Sequence, residues 1–359
     1  MVDSDREKIS KSKQSPAGYE KPQTADAYVN RWGADILRLW VASQDFRNDI
    51  SVSEERINTV AETYRVIRNA LRYQLSNLYD FDPAEHTVPD EQLTGLDRWI
   101  LSEFAKLQAE VIRAYDAYEF HVVYQKISQF AAVELSAIYH DVVKDRLYTD
   151  PAKSPRRRST QTALYRMVTG LSQLLAPILS FTADEAWEFV PGKDAQSVHV
   201  SDLHSSEFSV PENERQAWKA LLKFRGLVLM ELEKARQGKM IGKALEARVD
   251  WFVEPASRGS AAKILPDLRE LLNVSQIEIR AADSKHVASP ARLVFNPQTG
   301  DPVDASADPL DGVGIAVLRA DGRKCERCWH WETDVGSHPD HPTICGRCVA
   351  AVKENLAVG

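Results

Sequence analysis

Cys325, Cys328, Cys345 and Cys348 are all the cysteines of the 359-residue chain. They form two Cys-x-x-Cys pairs with sixteen residues between them. Each pair is short enough to occupy one tight turn with both sulfurs aimed at a common ion, and two such turns supply the four thiolates of a tetrahedral zinc site. Iron–sulfur centres use other spacings. His330, His338 and His341 lie in the same loop and are alternative ligands, although four sulfurs already complete a tetrahedron. A closed site has no open coordination position, so the expected metal organises a surface and does no chemistry. Cysteines confined to metal spacing fit a reducing cytoplasm better than a disulfide framework.

The neighbours of the cysteines indicate what that surface could touch. Arg327 lies within the first pair, and Trp329, His330 and Trp331 follow it. A cation beside a flat ring is a combination that grips unpaired RNA bases. Packing around the metal is the competing role for at least one of the tryptophans. Residues 319–353 carry a net charge of only +1, too little for a general phosphate clamp. A second candidate is Lys8-Ile9-Ser10-Lys11-Ser12, where two lysines three apart, interleaved with hydroxyls, can follow a polyphosphate. A third is the basic loop with Lys153, Arg156, Arg157 and Arg158, which reads equally as a solvated linker or a phosphate contact. The acid pairs Glu54/Glu55 and Asp184/Glu185 are explained by helix-cap chemistry.

These candidates need elements to hold them. Residues 1–23 are polar and carry no apolar core of a signal peptide. From residue 24, two helical pieces meet at Gly33, with Thr24 as an N-cap. Ser53 caps a long helix whose Ile57, Val60, Tyr64, Ile67, Leu71, Leu75 and Leu78 recur at helical steps. Further amphipathic helices are expected at about 93–118, 120–146 and from 159 to Pro177, and Thr182–Glu185 reads as a capping box opening a short one. Four long amphipathic segments with short connections predict an antiparallel helical bundle. A boundary is expected between Pro191 and Pro211, followed by a helix over 212–237, strands at 246–254 and 274–281 flanking a helix at 261–272, and a strand at 313–319. The expected fold is therefore mainly α, a helical bundle followed by a small α/β unit and a C-terminal four-cysteine zinc knuckle. A length of 359 residues fits two or three domains, and the net charge of -7 shows no global basic excess for nucleic acid.

Three features occur in a telling order: Lys8-Ile-Ser-Lys-Ser12, then Trp32-Gly-Ala-Asp-Ile-Leu-Arg-Leu-Trp-Val-Ala-Ser-Gln-Asp45, then a bundle ending in the cysteine knuckle. This order closely resembles the C-terminal part of a bacterial isoleucyl-tRNA synthetase, a class I enzyme. Asp97-Arg-Trp99, Tyr118-Glu-Phe-His121, Asp141 to Tyr148, Ala176 to Glu185 and Lys239 to Glu246 resemble the same family. The resemblance implies that 1–48 ends a catalytic domain, 49–191 is the anticodon-binding bundle, 212–282 the small α/β unit and 312–355 the knuckle. It implies that Lys8 and Lys11 act in catalysis. Lys11, with Ser10 and Ser12, would hold the phosphates of ATP, which enters with Mg2+. It implies isoleucine and tRNA(Ile) as partners, with Arg327 and Trp329 at the anticodon, one structural zinc, and a cytoplasmic monomer.

The chain departs from the family pattern in two respects. Ile9 stands where the family usually has Met, and Lys13-Gln14-Ser15 follows instead of an apolar-Gly-Asn run. The nucleotide-binding half and the editing domain do not occur in these 359 residues, and Met1 stands directly before the signature loop. The expectation is a fragment or a split chain that binds tRNA and is inactive by itself, its missing N-terminal half being a further partner. A free-standing zinc-containing tRNA-binding module and a zinc-stabilised helical scaffold are the alternatives.

Overall fold

A computed structural model of the chain describes residues 25–50, 52–203, 205–253, 258–281, 294–295, 302–303 and 314–358. The Lys8–Ser12 loop and the Thr24 cap lie outside the described residues, as does most of 283–311. The chain divides into two compact units, one of residues 1–140 and 158–209, the other of 141–157 and 210–359. Residues 141–157, which periodicity places inside the bundle, thus cluster with the second unit.

The first unit is helical. Helices α1 (Ala25–Trp32) and α2 (Ala34–Ala42) meet at Gly33, whose φ of +93° suits a residue without a Cβ. α3 (Glu54–Ser76) starts where the Ser53 side chain accepts the Arg56 amide at 3.3 Å. Of the predicted stripe it buries Ile57, Val60, Ile67 and Leu71, while Tyr64 and Leu75 are half-buried and Leu78 lies just past its end. After the short α4 (Pro83–His86), α5 (Gly95–Asp116) buries Leu96, Trp99, Ile100, Leu107 and Val111 and packs on α6 (Phe120–Phe130). The helix expected over 120–146 is not uniform. A π stretch occupies Ala131–Tyr139 before α7 (His140–Thr149), and the Ser136 hydroxyl bonds the Ala131 carbonyl five residues back at 2.7 Å. α8 (Pro155–Leu175) stops before Pro177, and α9 (Ser180–Glu188) follows.

Two carboxylates fasten this unit. Asp97 is fully buried and accepts hydroxyls from Tyr139 at 2.6 Å, Ser159 at 2.5 Å and Thr94 at 2.7 Å, drawing α5, the π stretch and α8 together. Asp35 serves α9. The capping box read at Thr182–Glu185 does not form, because α9 begins earlier and its N-cap, Leu179, has no capping side chain. Asp35 reaches across from α2 and accepts the amide and hydroxyl of Thr182 at 2.7 and 2.6 Å. An anion at a helix N-terminus meets unpaired amides and the positive end of the dipole wherever it comes from in the chain.

In the second unit, α10 (Glu212–Gln237) lies on a three-stranded sheet. Strand β1 (Ala247–Val253) is central, parallel to β2 (Gln276–Ala281) through the crossover helix α11 (Arg258–Leu272). Two-residue strands β3 (Val294–Phe295) and β4 (Pro302–Val303) pair with each other. β5 (Gly314–Arg319) pairs antiparallel with β1, Val249 opposite Val317. Phe224 of α10 packs on Trp251 of β1, ring centres 4.9 Å apart. No described helix is long and apolar enough to cross a membrane.

The basic stretch 153–158 is neither a linker nor, beyond Lys153, an open patch. Arg156 makes a two-pronged contact with Asp150 at 2.8 and 2.9 Å. Arg157 is buried and donates to the Leu147 and Ala152 carbonyls. Arg158 donates to the Asp80 carbonyl at 2.9 Å. These arginines satisfy backbone carbonyls and carboxylates at the start of α8.

Candidate metal centre and the surface it presents

Strands β6 (Arg323–Lys324) and β7 (Trp331–Glu332) form a two-rung hairpin around the first cysteine pair. Within it the Cys325 amide bonds the His330 carbonyl at 2.8 Å and the Trp329 amide bonds the Cys325 carbonyl at 2.9 Å, closing a tight turn. Gly322 before it has φ +90°, and a Cβ there would lie 2.3 Å from the Glu332 carbonyl oxygen, so the hairpin requires glycine at this point. The second pair is set differently: Cys345 precedes and Cys348 lies within helix α12 (Gly346–Val358). The Asp334 carboxylate accepts the Gly346 amide at 2.8 Å at the start of this helix, a bond that holds its carboxyl below the usual range.

All four cysteines are buried, and their sulfurs lie within 4.8 Å of one another. A tetrahedron with metal–sulfur bonds of about 2.3 Å has sulfur–sulfur edges of about 3.8 Å. The Cys328 and Cys345 sulfurs are 3.8 Å apart. The thiols share their protons: hydrogen bonds with Cys328 and with each other hold Cys345 below and Cys348 above the usual thiol range. The donor set and spacing fit zinc. None of the three loop histidines joins the cluster. His330 is instead buried with Nδ1 3.3 Å from Arg269 and Nε2 3.6 Å from Asp145, and burial pushes its pKa down. His338 faces Asp334 at 3.4 Å.

The two knuckle tryptophans have different fates. Trp331 is half-buried, and its amide donates to Ser275 Oγ at 2.7 Å. Trp329 is 58% exposed and its φ is +67°, a left-handed conformation that disfavours bulky side chains. Lys324 Nζ stands 5.6 Å from its ring centre. A large ring held out from a strained turn is not explained by packing around the metal. Arg327 is engaged within the protein: its Nη1 donates to the Thr149 carbonyl at 2.5 Å. Arg347 binds both oxygens of Asp145 at 2.5 and 2.8 Å. Burial acts to raise the Asp145 carboxyl, but the guanidinium of Arg347 overrides it and holds the group at about 2. Sequence reasoning passed over Asp145. Its hints are charge at 145 and 146, where the apolar stripe through Val142 would continue, and its place in the family-like stretch Asp141 to Tyr148.

Comparison with known proteins places these parts in a class. Residues 97–250 match the anticodon-binding domain of tRNA ligase, and residues 322–351 match the zinc finger found in FPG and IleRS. The chain therefore combines a tRNA-ligase anticodon-binding domain with a four-cysteine zinc site of that type. More particularly, it is related to isoleucine–tRNA ligases along about nine-tenths of its length. It is 43% identical over 333 residues to that of Sodalis glossinidius, covering 90% of this chain and 33% of the relative. It is 44% identical over 324 residues to that of Desulfitobacterium hafniense, covering 89% and 33%. It is 40% identical over 358 residues to that of Moorella thermoacetica, covering 99% and 36%. The chain thus spans about a third of the length of the curated relatives it matches. The resemblance drawn from the cysteine knuckle and the bundle motifs holds, and the zinc is structural.

Proposed function

We propose that this chain is the tRNA-binding portion of an isoleucine–tRNA ligase. The whole enzyme would activate isoleucine with ATP and Mg2+ and transfer it to tRNA(Ile) in the cytoplasm. The observation that carries this reading is the co-occurrence, in one chain related throughout to isoleucine–tRNA ligases, of the anticodon-binding domain and the zinc finger. In this reading the bundle and the knuckle receive the anticodon region. Trp329 stacks on an unpaired base, Arg327 stands beside it in the same turn, and the zinc holds both.

Lys8, Ser10, Lys11 and Ser12 are proposed as the ATP-phosphate loop, Lys11 meeting the phosphates and both lysines offsetting charge that develops during adenylate formation. The described residues carry no nucleotide-binding domain to face such a loop, so the chain alone is expected to bind tRNA as a monomer and not to catalyse. A filter-binding titration with an isoleucine tRNA transcript and an anticodon-altered variant tests the first half. Equal affinity for both transcripts would sink it. Isoleucine-dependent ATP–pyrophosphate exchange by the isolated chain would overturn the second half.

A further inference from the structure

The four thiolates fix the inside of the knuckle, but a closed tetrahedron does not decide which way its outer face points. The C-terminal half of α7 receives contacts from both cysteine turns. Arg347, between Cys345 and Cys348, binds both Asp145 oxygens at 2.5 and 2.8 Å. Arg327, between Cys325 and Cys328, donates to the Thr149 carbonyl at 2.5 Å, one turn further along α7. Each Cys-x-x-Cys turn thus sends its own arginine to the C-terminal half of α7. His330, next to Trp329, adds a third approach, 3.6 Å from Asp145. The receiving segment is itself braced. Arg146, nearly inaccessible, makes a two-pronged pair with Glu270 of α11, and Arg156 lies 3.7 Å from Asp145.

We propose that Asp145 is the positioning residue of the knuckle: the end of α7 is a seat for Arg327 and Arg347, and this seat sets the direction in which Trp329 projects. The seat stands on geometry alone, while its consequence for RNA rests on the function proposed above. Arg327, for which the family resemblance implies contact with a nucleotide, acts through the seat on this account. A two-pronged, charge-assisted pair is the strongest kind of hydrogen-bonded contact and fixes angle as well as distance.

The test is Asp145→Asn in the full chain, read first by native mass spectrometry for zinc and by amide hydrogen exchange over 322–332. The variant is expected to keep one zinc per chain while exchange in that segment rises about tenfold, the scale set by loss of one charged hydrogen-bond pair. Arg347→Lys, a change on the exposed side of the pair, keeps the charge but loses the fork, and shifts exchange in the same direction to a smaller extent. Zinc-bound Asp145→Asn with unchanged exchange over 322–332 overturns the proposal.

Affinity for the isoleucine tRNA transcript supplies a readout that a merely structural role would not move. Asp145→Asn is expected to weaken binding about tenfold in the wild-type background and to add nothing in Trp329→Ala, since the two act through one contact. An additive loss in the double variant overturns positioning of Trp329. If Trp329→Ala alone leaves affinity unchanged, the RNA role of that ring falls, and hydrogen exchange still decides the seat.

Discussion

Asp35 and Thr182 stand 147 positions apart, yet the carboxylate of one accepts both the amide and the hydroxyl of the other. The bond caps α9 from α2 and replaces a local cap that the helix lacks. Asp35→Ala leaves a buried amide and hydroxyl without this acceptor and is expected to cost about 2 kcal/mol of stability. Urea unfolding followed by far-UV circular dichroism measures it. A change below a few tenths of a kcal/mol would show that the cap is dispensable.

Trp329 offers a test in which stability and binding move in opposite directions. Trp329→Gly removes both the ring and the penalty for a bulky residue at positive φ, and is expected to stabilise the zinc-bound knuckle by about 1 kcal/mol. The same change is expected to weaken tRNA binding by about 1–3 kcal/mol, as Trp329→Ala does, because the stacking surface is gone. Chelator competition reads the first effect and filter binding the second. Full affinity in the glycine variant would return Trp329 to a packing role.

Removing the metal tests the two units separately. Structural zinc contributes folding free energy directly, so a chelator or Cys328→Ser is expected to expose 322–351 to rapid hydrogen exchange and proteolysis. Amides of α5 and α8, in the other unit, are expected to keep their protection. Loss of protection in both at once would show that the zinc sustains more than the knuckle.

Tyr115 makes stability fall at high pH. Burial pushes its phenol above the usual value near 10, and its hydroxyl donates to the Leu174 carbonyl at 2.8 Å. A group whose pKa is raised on folding contributes stability that is complete below the unfolded value and is lost as pH rises beyond it. The window therefore opens at about pH 10 and extends upward. Tyr115→Phe is expected to lose about 1 kcal/mol at neutral pH with the hydrogen bond, and to show a shallower decline between pH 9 and 11 in urea midpoints. A parallel decline in both proteins would assign the alkaline sensitivity elsewhere.

What the amino-acid order revealed and what it hid divide along the range of the interactions. The zinc site was legible because a Cys-x-x-Cys turn is a local object, and the two turns need only meet. The stripes of α3 and α5 were legible because burial of one face leaves a period in the chain. The π stretch was not, since a period of 4.4 drifts from one of 3.6 by less than a residue per turn and the apolar positions stay nearly in line. The arginines at 156–158 announced charge but not direction, and all three turn toward acceptors of the protein itself. Asp145 was invisible for the same reason: its significance is the pairing with Arg347, 202 positions away.

That separation has a consequence for how the protein is made. A ribosome adds roughly 5–20 residues per second, so Asp145 is in place roughly 10–40 s before Arg347 emerges to meet it. During that interval Asp145 has Arg156 near it but not the two-pronged partner that completes the seat. The helices of the first unit can close while the seat stays vacant, and the knuckle, synthesised long afterwards, finds its place still open.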